Sequence, residues 1–501
     1  TAHTAAAAAA ASKRARGASL PVVPGWFHEA RARVLRATPA TEGACVLYWM
    51  NRDQRARDNY ALLYAKALAE NAGVPLVVVF HLVDSFGVMN LRHYGFCLRG
   101  LMGVEAALDA KGIPFHLTRG DDPAAAVVGL AARLGAAAVV ADMDPLREPR
   151  AWVERAAAAL EEALPAAALI QVDAHNVVPV WHVTDKQEVG ARTLRPRINR
   201  MLHEFLVEYP ELTDQSHPAP PELHPERRPA VTPELVAGLD VDRSVPELAG
   251  FPAGEAAAQE RFDAWVTGGG LRGFKEHRNN PTRNVLSHMA PYIRFGQVSV
   301  QSLARQLRDH GRHRESADCF VEEAVVRREL SDNYVWFNEH YDSLEGAAGW
   351  ARETLRVHAA DPREHVYSGS ELEAARTHDD LWNAAQLQLA REGKMHGFLR
   401  MYWAKKILEW TSSPEEALRT AIYLNDKYSL DGLCPNGYVG CMWSIAGVHD
   451  QGWAERPVFG KIRYMNYAGC KRKFRVAEFV AKYPAASANA AAVAAKARNS
   501  K

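Results

Sequence analysis

The sequence predicts an α/β domain followed by an all-helical domain. Three observations predict this class. Short apolar runs of strand length alternate with helical patterns in the first third of the chain. Nine of the 27 prolines fall between residues 210 and 252, and after Glu255 the β-branched runs give way to helical periodicity. At 501 residues, the chain can hold two or three sizeable cores.

Five strands are predicted in the first domain, with helices between them. The strands cover residues 44–49, 75–82, 115–117, 136–141 and 169–172. The first helix carries Tyr60, and the other three cover residues 91–110, 123–134 and 148–164. This alternation is typical of a parallel, doubly wound, Rossmann-like sheet, which binds ligands at the carboxyl ends of its strands. The polar residues 51–53 occupy such an end. No GxGxxG follows the first strand and no GxxxxGK[ST] occurs, which argues against a standard dinucleotide or P-loop site.

The composition excludes several classes of protein. Sixty Lys and Arg against 59 Asp and Glu exclude a polybasic tail protein and an acidic disordered one. The six cysteines show no CxxC spacing, which argues against a zinc ribbon or disulfide scaffold and for a reducing compartment, and no metal site is predicted. No apolar run reaches the ~18–20 residues of a membrane span.

The same patterns divide the chain into five segments. We expect a flexible N-terminal extension over residues 1–40, the α/β domain over 41–182, a connector over 183–254, the helical domain over 255–483 and a flexible or helical tail over 484–501. The basic, Ala-rich start has no acid before Glu29, and fits either an organelle transit peptide or a disordered extension.

Helical periodicity in the second domain covers residues 321–336, 372–390, 397–410 and 414–424. Ser413 and Pro414 are a typical helix start, with an N-cap serine and proline at the first helical position. Residues 431–460 are rich in glycine and are predicted to be loops, and long loops in a compact domain are usually functional.

Two groups of tryptophans stand out. Trp403 and Trp410 lie two turns apart on one predicted helix, about 10.5 Å in rise, and Trp382 lies on the preceding helix. They suit an electron relay, but spacing alone favours ordinary core packing. Trp443 and Trp453 lie in the glycine-rich region near basic residues, where they suit either stacking on an extruded base or anchoring of the loop.

Basic and acidic side chains give further candidates. Basic clusters at residues 192–200, 272–283 and 471–475 suit a phosphate-binding surface, and the last, KRKFR, also matches a nuclear localisation signal. Glu322 and Glu323 fit either a charged helix face or a carboxyl that acts as proton donor or hydrogen-bond anchor. Asp431 is a candidate partner for Arg400.

The longest recognisable motif is GKMHGFLRMYWAKKILEW at residues 393–410. Together with YLNDKY (423–428), Trp443-Ser444, RPVFGKIRYMNYAGCKRK (456–473), VRRELSDNY (326–334), APYIRFGQ (290–297), VDAHNVVPVW (172–181) and YWMNRDQRARDN (48–59), it resembles class II cyclobutane pyrimidine dimer (CPD) photolyases of plants and green algae. The resemblance covers roughly residues 44 to 480.

The resemblance implies an α/β antenna domain, a connector and an all-helical domain that binds FAD. It also implies light-driven DNA repair, in which the excited reduced flavin donates an electron to a flipped-out pyrimidine dimer and the cyclobutane ring splits. It further implies that the protein acts as a monomer on double-stranded DNA containing the dimer, in the nucleus, the chloroplast or both. Some members of the class carry an antenna chromophore of the 8-hydroxy-deazaflavin type.

The resemblance also assigns residues. Flavin contacts fall on Leu286, Ser287, His288, Met289, Ala290, Arg400, Met401, Asn425, Asp431 and Gly432, and Asn425 corresponds to the asparagine that faces flavin N5, with Asn436 as the alternative. Glu323 corresponds to the acid that hydrogen-bonds the lesion, Trp443 to a lesion-packing aromatic, and Trp403, Trp382 and Trp410 to the photoreduction relay, with Trp403 nearest the flavin. DNA contacts are expected at Arg278, Asn279, Trp443, Gln451, Trp453, Arg463 and Lys471.

The chain departs from the family at one place. A second lesion-contacting tryptophan commonly follows the glutamate by about one turn, and here Val326 and Arg327 stand there, so a two-tryptophan sandwich is not expected. Two other functions compete with repair: a cryptochrome-like flavin photoreceptor, and a flavin-free module that binds nucleic acid by stacking alone.

Overall fold

The computed structural model describes residues 19–37 and 42–499. The N-terminal half is built on a six-stranded sheet that follows the predicted alternation. Its strands are β1 (Ala32–Arg36), β2 (Cys45–Met50), β3 (Leu76–Val83), β4 (Phe115–Gly120), β5 (Ala136–Asp142) and β6 (Ala168–Val172). The intervening helices are α1 (Tyr60–Ala72), α2 (Leu91–Asp109), α3 (Pro123–Leu134) and α4 (Arg147–Ala163). The five predicted strands are therefore confirmed.

The sheet contains a sixth strand, β1, that the sequence did not predict. This strand makes the sheet mixed and not purely parallel as predicted. The order is β1-β6-β5-β2-β3-β4, with β1 antiparallel to β6 and the other pairs parallel. Strand β1 lies within residues 1–40, where the sequence led us to expect a flexible extension. It is an edge strand with two arginines, and Val34 is its only buried residue, so its apolar signal is weak. Residues 1–18 and 38–40 of the predicted extension, and residue 41 of the predicted α/β domain, lie outside the described residues.

The stretch predicted as a connector contains regular structure. Two short helices, α5 (Val180–Val183) and α7 (Pro233–Ala237), flank a four-turn helix, α6 (Ala191–Phe205). Helix α6 buries Leu194, Ile198 and Phe205, and this amphipathic spacing fixes it to the body of the protein. The proline-rich part of the predicted connector, residues 210–252, also forms short regular structure, at α7 and at the 3-10 turn Pro221–Leu223.

The C-terminal half is helical, as predicted. Its helices are α8 (Glu255–Thr267), α9 (Gly270–His277), α10 (Ala290–Arg294), α11 (Val300–His310), α12 (Arg314–Val321), α13 (Arg328–Phe337), α14 (Gly349–Val357), α15 (Gly369–Glu373), α16 (Asp380–Glu392), α17 (Gly397–Trp410), α18 (Pro414–Tyr428), α19 (Pro435–Ala446), α20 (Tyr467–Lys473), α21 (Val476–Val480) and α22 (Pro484–Asn499). A π-helical turn, Glu322–Arg327, joins α12 to α13. The Ser413 side chain caps α18 by accepting a 3.1 Å hydrogen bond from the Glu416 amide, as expected.

Two helix predictions need correction, and the C-terminal tail is helical. The helix predicted over 372–390 is split, because Asp379 caps a new helix through the Trp382 amide. The glycine-rich region contains α19, where a Cβ at Gly437 would lie 2.8 Å from the Asn425 amide nitrogen, so this glycine serves close helix packing. The tail, which its alanine-rich composition predicted to be either flexible or helical, is helix α22; it packs on α16 with Ala486 buried, while residues 500 and 501 lie outside the described part.

The two halves share a core. One hydrophobic cluster joins Val46 and Val78 of the sheet to Phe262 and Tyr292 of the helical half. The carboxyl ends of β2, β3 and β5 therefore face the helical half, and the candidate site lies between them. Within residues 19–37 and 42–499, every helix is too short or too polar to cross a membrane.

Candidate functional site

A cavity of about 550 Å³ lies between the sheet edge and the helical half. It brings together residues that the sequence separates by more than a hundred positions. Ten of the expected site residues line it: Arg278, Asn279, Leu286, Ser287, His288, Met289, Ala290, Glu323, Met401 and Asp431. This volume and its mixed polar and apolar lining suit a cofactor-sized ligand.

The segment before α10 forms one wall of the cavity. The indole N–H of Trp265 donates a 2.8 Å hydrogen bond to the Val285 carbonyl and fixes the start of the segment. His288 adopts a left-handed backbone conformation with φ of 56°, which non-glycine residues rarely adopt. The backbone of residues 286–290 therefore turns along the cavity before α10 begins.

Lys394 forms a cationic corner that sequence reasoning missed. Its ammonium Nζ lies 3.0 Å from His288 Nδ1, and both residues line the cavity. Burial and, to a lesser degree, the neighbouring Arg400 and Arg261 lower the pKa of Lys394 to about 8, and burial lowers that of His288 to about 3. Asp431 is a nearby carboxylate that opposes these cations. Such a corner favours binding of an anion. The sequence signal that could have identified Lys394 was its position next to Gly393, at the junction of two helices.

The predicted pairing of Arg400 with Asp431 is present, with Arg400 Nη2 3.9 Å from Asp431 Oδ1. Asp431 lines the cavity, whereas Arg400 lies behind it. Gly432 also lies behind the wall, where its carbonyl accepts a 3.0 Å hydrogen bond from Arg294 Nε. These contacts hold the loop between α18 and α19 against the cavity.

The two asparagine alternatives occupy different places. Asn436 lines the cavity at the start of α19. Asn425 is buried behind it and donates a 2.9 Å hydrogen bond to Asp426, whose pKa burial raises to about 6. Of the two, the geometry favours Asn436 as the residue that meets a ligand.

Glu323 and Glu322 diverge from the π-helical turn. Glu323 lines the cavity and accepts a 3.2 Å hydrogen bond from Arg278 Nη2. Glu322 instead accepts hydrogen bonds from Arg195 and Arg327. Adjacent residues of a helix point about 100° apart, so the two neighbouring carboxylates face different directions. The π turn that carries them, Glu322–Arg327, is of a kind that is frequent at functional sites.

No aromatic stands at Val326 and Arg327, the two positions about one turn after Glu323 where the second tryptophan is missing. Val326 is buried in the core, and Arg327 pairs with Glu322 at 3.1 Å. Neither side chain can therefore serve as the second aromatic ring of a two-tryptophan lesion sandwich.

The three relay candidates form a continuous aromatic line. Trp382 stacks on Trp403 with ring centroids 6.3 Å apart and planes at 9°, and it meets Trp410 edge-on at 5.8 Å. All three are buried, and Trp382 Nε1 donates to the Trp403 carbonyl while Trp403 Nε1 donates to Gln386. Trp382 is thus the middle member, which the spacing of the other two on α17 did not reveal. None of these three tryptophans is among the residues that line the cavity.

The expected DNA-contacting aromatics lie outside the cavity lining. Trp443 is on helix α19 and not on a loop, because Pro435 starts a helix inside the glycine-rich region. Its ring lies between Lys405 Nζ at 5.2 Å and the Arg463 guanidinium at 5.5 Å. Trp453 is 44% exposed and stacks on Arg463 at 4.3 Å.

The remaining expected DNA contacts lie near these rings. Arg463 makes two 2.9 Å hydrogen bonds with Asp450, and Gln451 is exposed beside this pair. Lys471 is exposed on α20, with its ammonium 4.9 Å from the Tyr467 ring centroid. The structure therefore gathers Gln451, Trp453 and Arg463 on one loop and leaves Lys471 on the next helix.

The sheet edge supplies the other end of the cavity, as predicted for residues 51–53. Asn51 and Arg52 line it, whereas Asp53 is buried between Arg55 and His175. Arg52 makes a bidentate ion pair with Asp332 of α13, with distances of 2.8 and 3.0 Å. This buried pair joins the two halves beside the cavity, and sequence reasoning missed it because its partners are 280 residues apart.

The DNA photolyase family model matches residues 46–221. The chain is 52% identical to deoxyribodipyrimidine photo-lyase of Potorous tridactylus over 434 residues, covering 86% of this chain and 80% of that protein. It is 47% identical to the rice protein of the same name, covering 93% and 92%, and 46% identical to the Arabidopsis thaliana one, covering 87% and 88%.

Solved structures with the same architecture are more distant in sequence. A class III photolyase from Agrobacterium tumefaciens superposes with a TM-score of 0.66 at 18% identity, covering 88% of this chain and 86% of that one. A Synechocystis cryptochrome gives a TM-score of 0.65 at 16% identity, covering 86% of each. These likenesses show the fold alone.

Proposed function

The chain belongs to the DNA photolyase family, and we propose that it repairs cyclobutane pyrimidine dimers in DNA under blue light. Its relatives at 46–52% identity are named deoxyribodipyrimidine photo-lyases, which favours repair over a photoreceptor role. The observation that carries the proposal is the cavity in which Glu323 and Arg278 meet the wall formed by residues 286–290.

Members of this family generally bind FAD, and the cavity fits it. Lys394 and His288 form the corner that would hold its phosphates, since the cations Lys394, Arg261 and Arg400 outnumber the nearby carboxylates of Asp431 and Glu392. Met401 and Asn436 supply lining for its ring system. When bound in its reduced form, the flavin supplies the electron that light excites.

The protein's own residues would position the lesion. Glu323 lies at the cavity wall, with Arg278 donating to it, and would hydrogen-bond the pyrimidine dimer. Trp443 would pack against the flipped-out bases, with its ring held by contacts with the Lys405 amine and the Arg463 guanidinium. Arg463, Trp453, Gln451, Asn279 and Lys471 would contact the DNA around the lesion. We propose that a monomer binds the damaged duplex.

The relay and antenna complete the proposal. Trp403, Trp382 and Trp410 would carry electrons to oxidised flavin, because their rings lie in successive contact. At the sheet edge, Phe86, Trp152 and His81 line the cavity and would suit a planar antenna chromophore of the deazaflavin type. For the compartment, the exposed basic side chains of residues 471–473 support a nuclear address.

The direct test uses an oligonucleotide that contains one thymine dimer. Chemically reduced protein is mixed with it, and absorbance at 260 nm is followed under blue light and in the dark. We expect recovery only in the light, with slower recovery for Glu323→Gln. No recovery in the light from protein that holds reducible FAD would overturn the proposal and favour the photoreceptor.

A further inference from the structure

The loop between α19 and α20, residues 447–466, has little structure of its own. We call it the recognition loop, because it carries Gln451, Trp453 and Arg463 of the proposed DNA surface. The residues of this loop, all of which are described, form a single β-type pairing, the isolated bridge between Arg456 and Gly460. A loop of this length needs external contacts to hold a defined shape.

Helix α14 supplies the first of these contacts. A Cβ at Gly447 would lie 2.8 Å from the Trp350 ring, and one at Gly460 would lie 2.1 Å from Thr354 Oγ1. The amide of Lys461 donates a 3.0 Å hydrogen bond to the same Thr354 oxygen. The loop backbone thus rests directly on two side chains of α14.

His358, which follows α14, makes a second contact. Its Nδ1 lies 2.6 Å from Asp361 Oδ2 and its Nε2 lies 3.0 Å from Glu455 Oε1 of the recognition loop. An ionised carboxylate only accepts hydrogen bonds, so both ring nitrogens must donate, which is the imidazolium form. The histidine side chain is 15% exposed.

Asp361 completes the clamp. Its Oδ2 also accepts a 2.8 Å hydrogen bond from the Val458 amide of the loop. Val458 has a φ of 67°, an outlier for a β-branched residue. Such a conformation persists only where the surroundings impose it, so the clamp acts on the loop backbone itself.

We propose that the imidazolium of His358, bridging Asp361 and Glu455, is a positioning group that holds the recognition loop in its DNA-binding shape and makes the affinity for damaged DNA depend on its protonation. The proposal rests on the proposed function of the loop. The remaining charged groups around the clamp are Arg363, which contacts Asp361, and Lys461, which lies near Glu455.

The direction of the pH effect follows from the two carboxylates. Hydrogen bonds to Glu455 and Asp361 raise the pKa of His358 above its ordinary value. The clamp is therefore complete at acidic pH and is lost as pH rises through the raised pKa. Affinity for damaged DNA should fall over the same range.

The test measures binding of a fluorescent duplex with one thymine dimer, and of its undamaged twin, in the dark from pH 5.5 to 8.5. His358→Ala should bind the damaged duplex about three- to fivefold more weakly at low pH, the scale of one partly exposed ion pair. It should also lose the pH dependence. His358→Arg keeps two charged donors at every pH and should restore the affinity without the pH dependence.

Two further variants keep the result interpretable. His340→Ala removes another histidine beside a carboxylate, Glu345, away from the recognition loop, and should bind like the wild type. Glu455→Gln alters an exposed end of the clamp with little risk to folding and should weaken the pH dependence. Identical pH profiles in the wild type, His358→Ala and His358→Arg overturn the clamp, whereas a wild type that neither prefers nor repairs the damaged duplex overturns the proposed function.

Discussion

Replacing Trp382 by phenylalanine tests the relay at its middle member. In the native protein its ring lies 6.3 Å from that of Trp403 and 5.8 Å from that of Trp410. Without it, the other two indoles are separated by seven residues of helix, about 10.5 Å in rise. The gap for electron transfer thus nearly doubles, and phenylalanine is a poor substitute because it is harder to oxidise than indole.

We expect Trp382→Phe to lose photoreduction of oxidised FAD by an external donor under blue light. Repair by chemically reduced protein should remain close to the wild-type rate, because the ring lies outside the cavity lining. The substitution also leaves a small void and removes the hydrogen bond to the Trp403 carbonyl, at a cost of about 1–3 kcal/mol in the free energy of unfolding.

Trp181→Phe is the matched control. Trp181 Nε1 likewise donates to a backbone carbonyl, that of Ala30, at 2.8 Å, but its ring lies outside the relay. This variant should lose stability without losing photoreduction. Normal photoreduction in Trp382→Phe, or loss of repair by its pre-reduced form, would refute the relay assignment.

Three other substitutions test separate parts of the structure. Glu323→Ala should lower the quantum yield of repair with only a modest loss of lesion binding, measured by repair per absorbed photon and by anisotropy, and an unchanged yield would remove its role. Asp332→Ala should lower the free energy of unfolding by about 3–5 kcal/mol in urea denaturation, because it leaves the buried Arg52 guanidinium without its carboxylate, and a change below 1 kcal/mol would contradict this. Burial lowers the pKa of Lys405 to about 7, so the unfolded chain binds a proton that the folded chain loses, and stability should rise between pH 7 and 10 by up to about 4 kcal/mol. Lys405→Met should remove this rise in thermal melts, and an unchanged pH slope would contradict the assignment.

The sequence predicted those parts of the fold that have strong local signals. Five strands are continuous apolar runs, and all five are present. Strand β1 has a single buried residue, and helices α19 and α22 are built from glycine- and alanine-rich stretches, so local patterns suggested loops or tails. In each case tertiary packing decides the structure and local propensity does not.

The candidate site divides in the same way. Contiguous motifs, such as residues 286–290 and Met401, were predicted by the resemblance and line one cavity. Lys394 and Asp332 were missed because their roles depend on partners, His288 and Arg52, that are distant in sequence. Charges of this kind become recognisable only when the fold shows which of them are buried together.

Helix α17 explains how one element can serve several parts of this site. Successive residues of a helix point in different directions, so Met401 faces the cavity, Trp403 faces Trp382, and Lys405 faces the Ser444 carbonyl and the ring of Trp443. The helix is buried on nearly all sides, and burial of the Lys405 side chain there carries a desolvation cost that lowers the pKa of its amine to about 7. Because Met401, Trp403 and Lys405 belong to one helix, the spacing between the cavity wall, the Trp403 ring and the amine that contacts the Trp443 ring is set by helical geometry. Movement of the α/β half relative to the helical half would therefore leave that spacing unchanged.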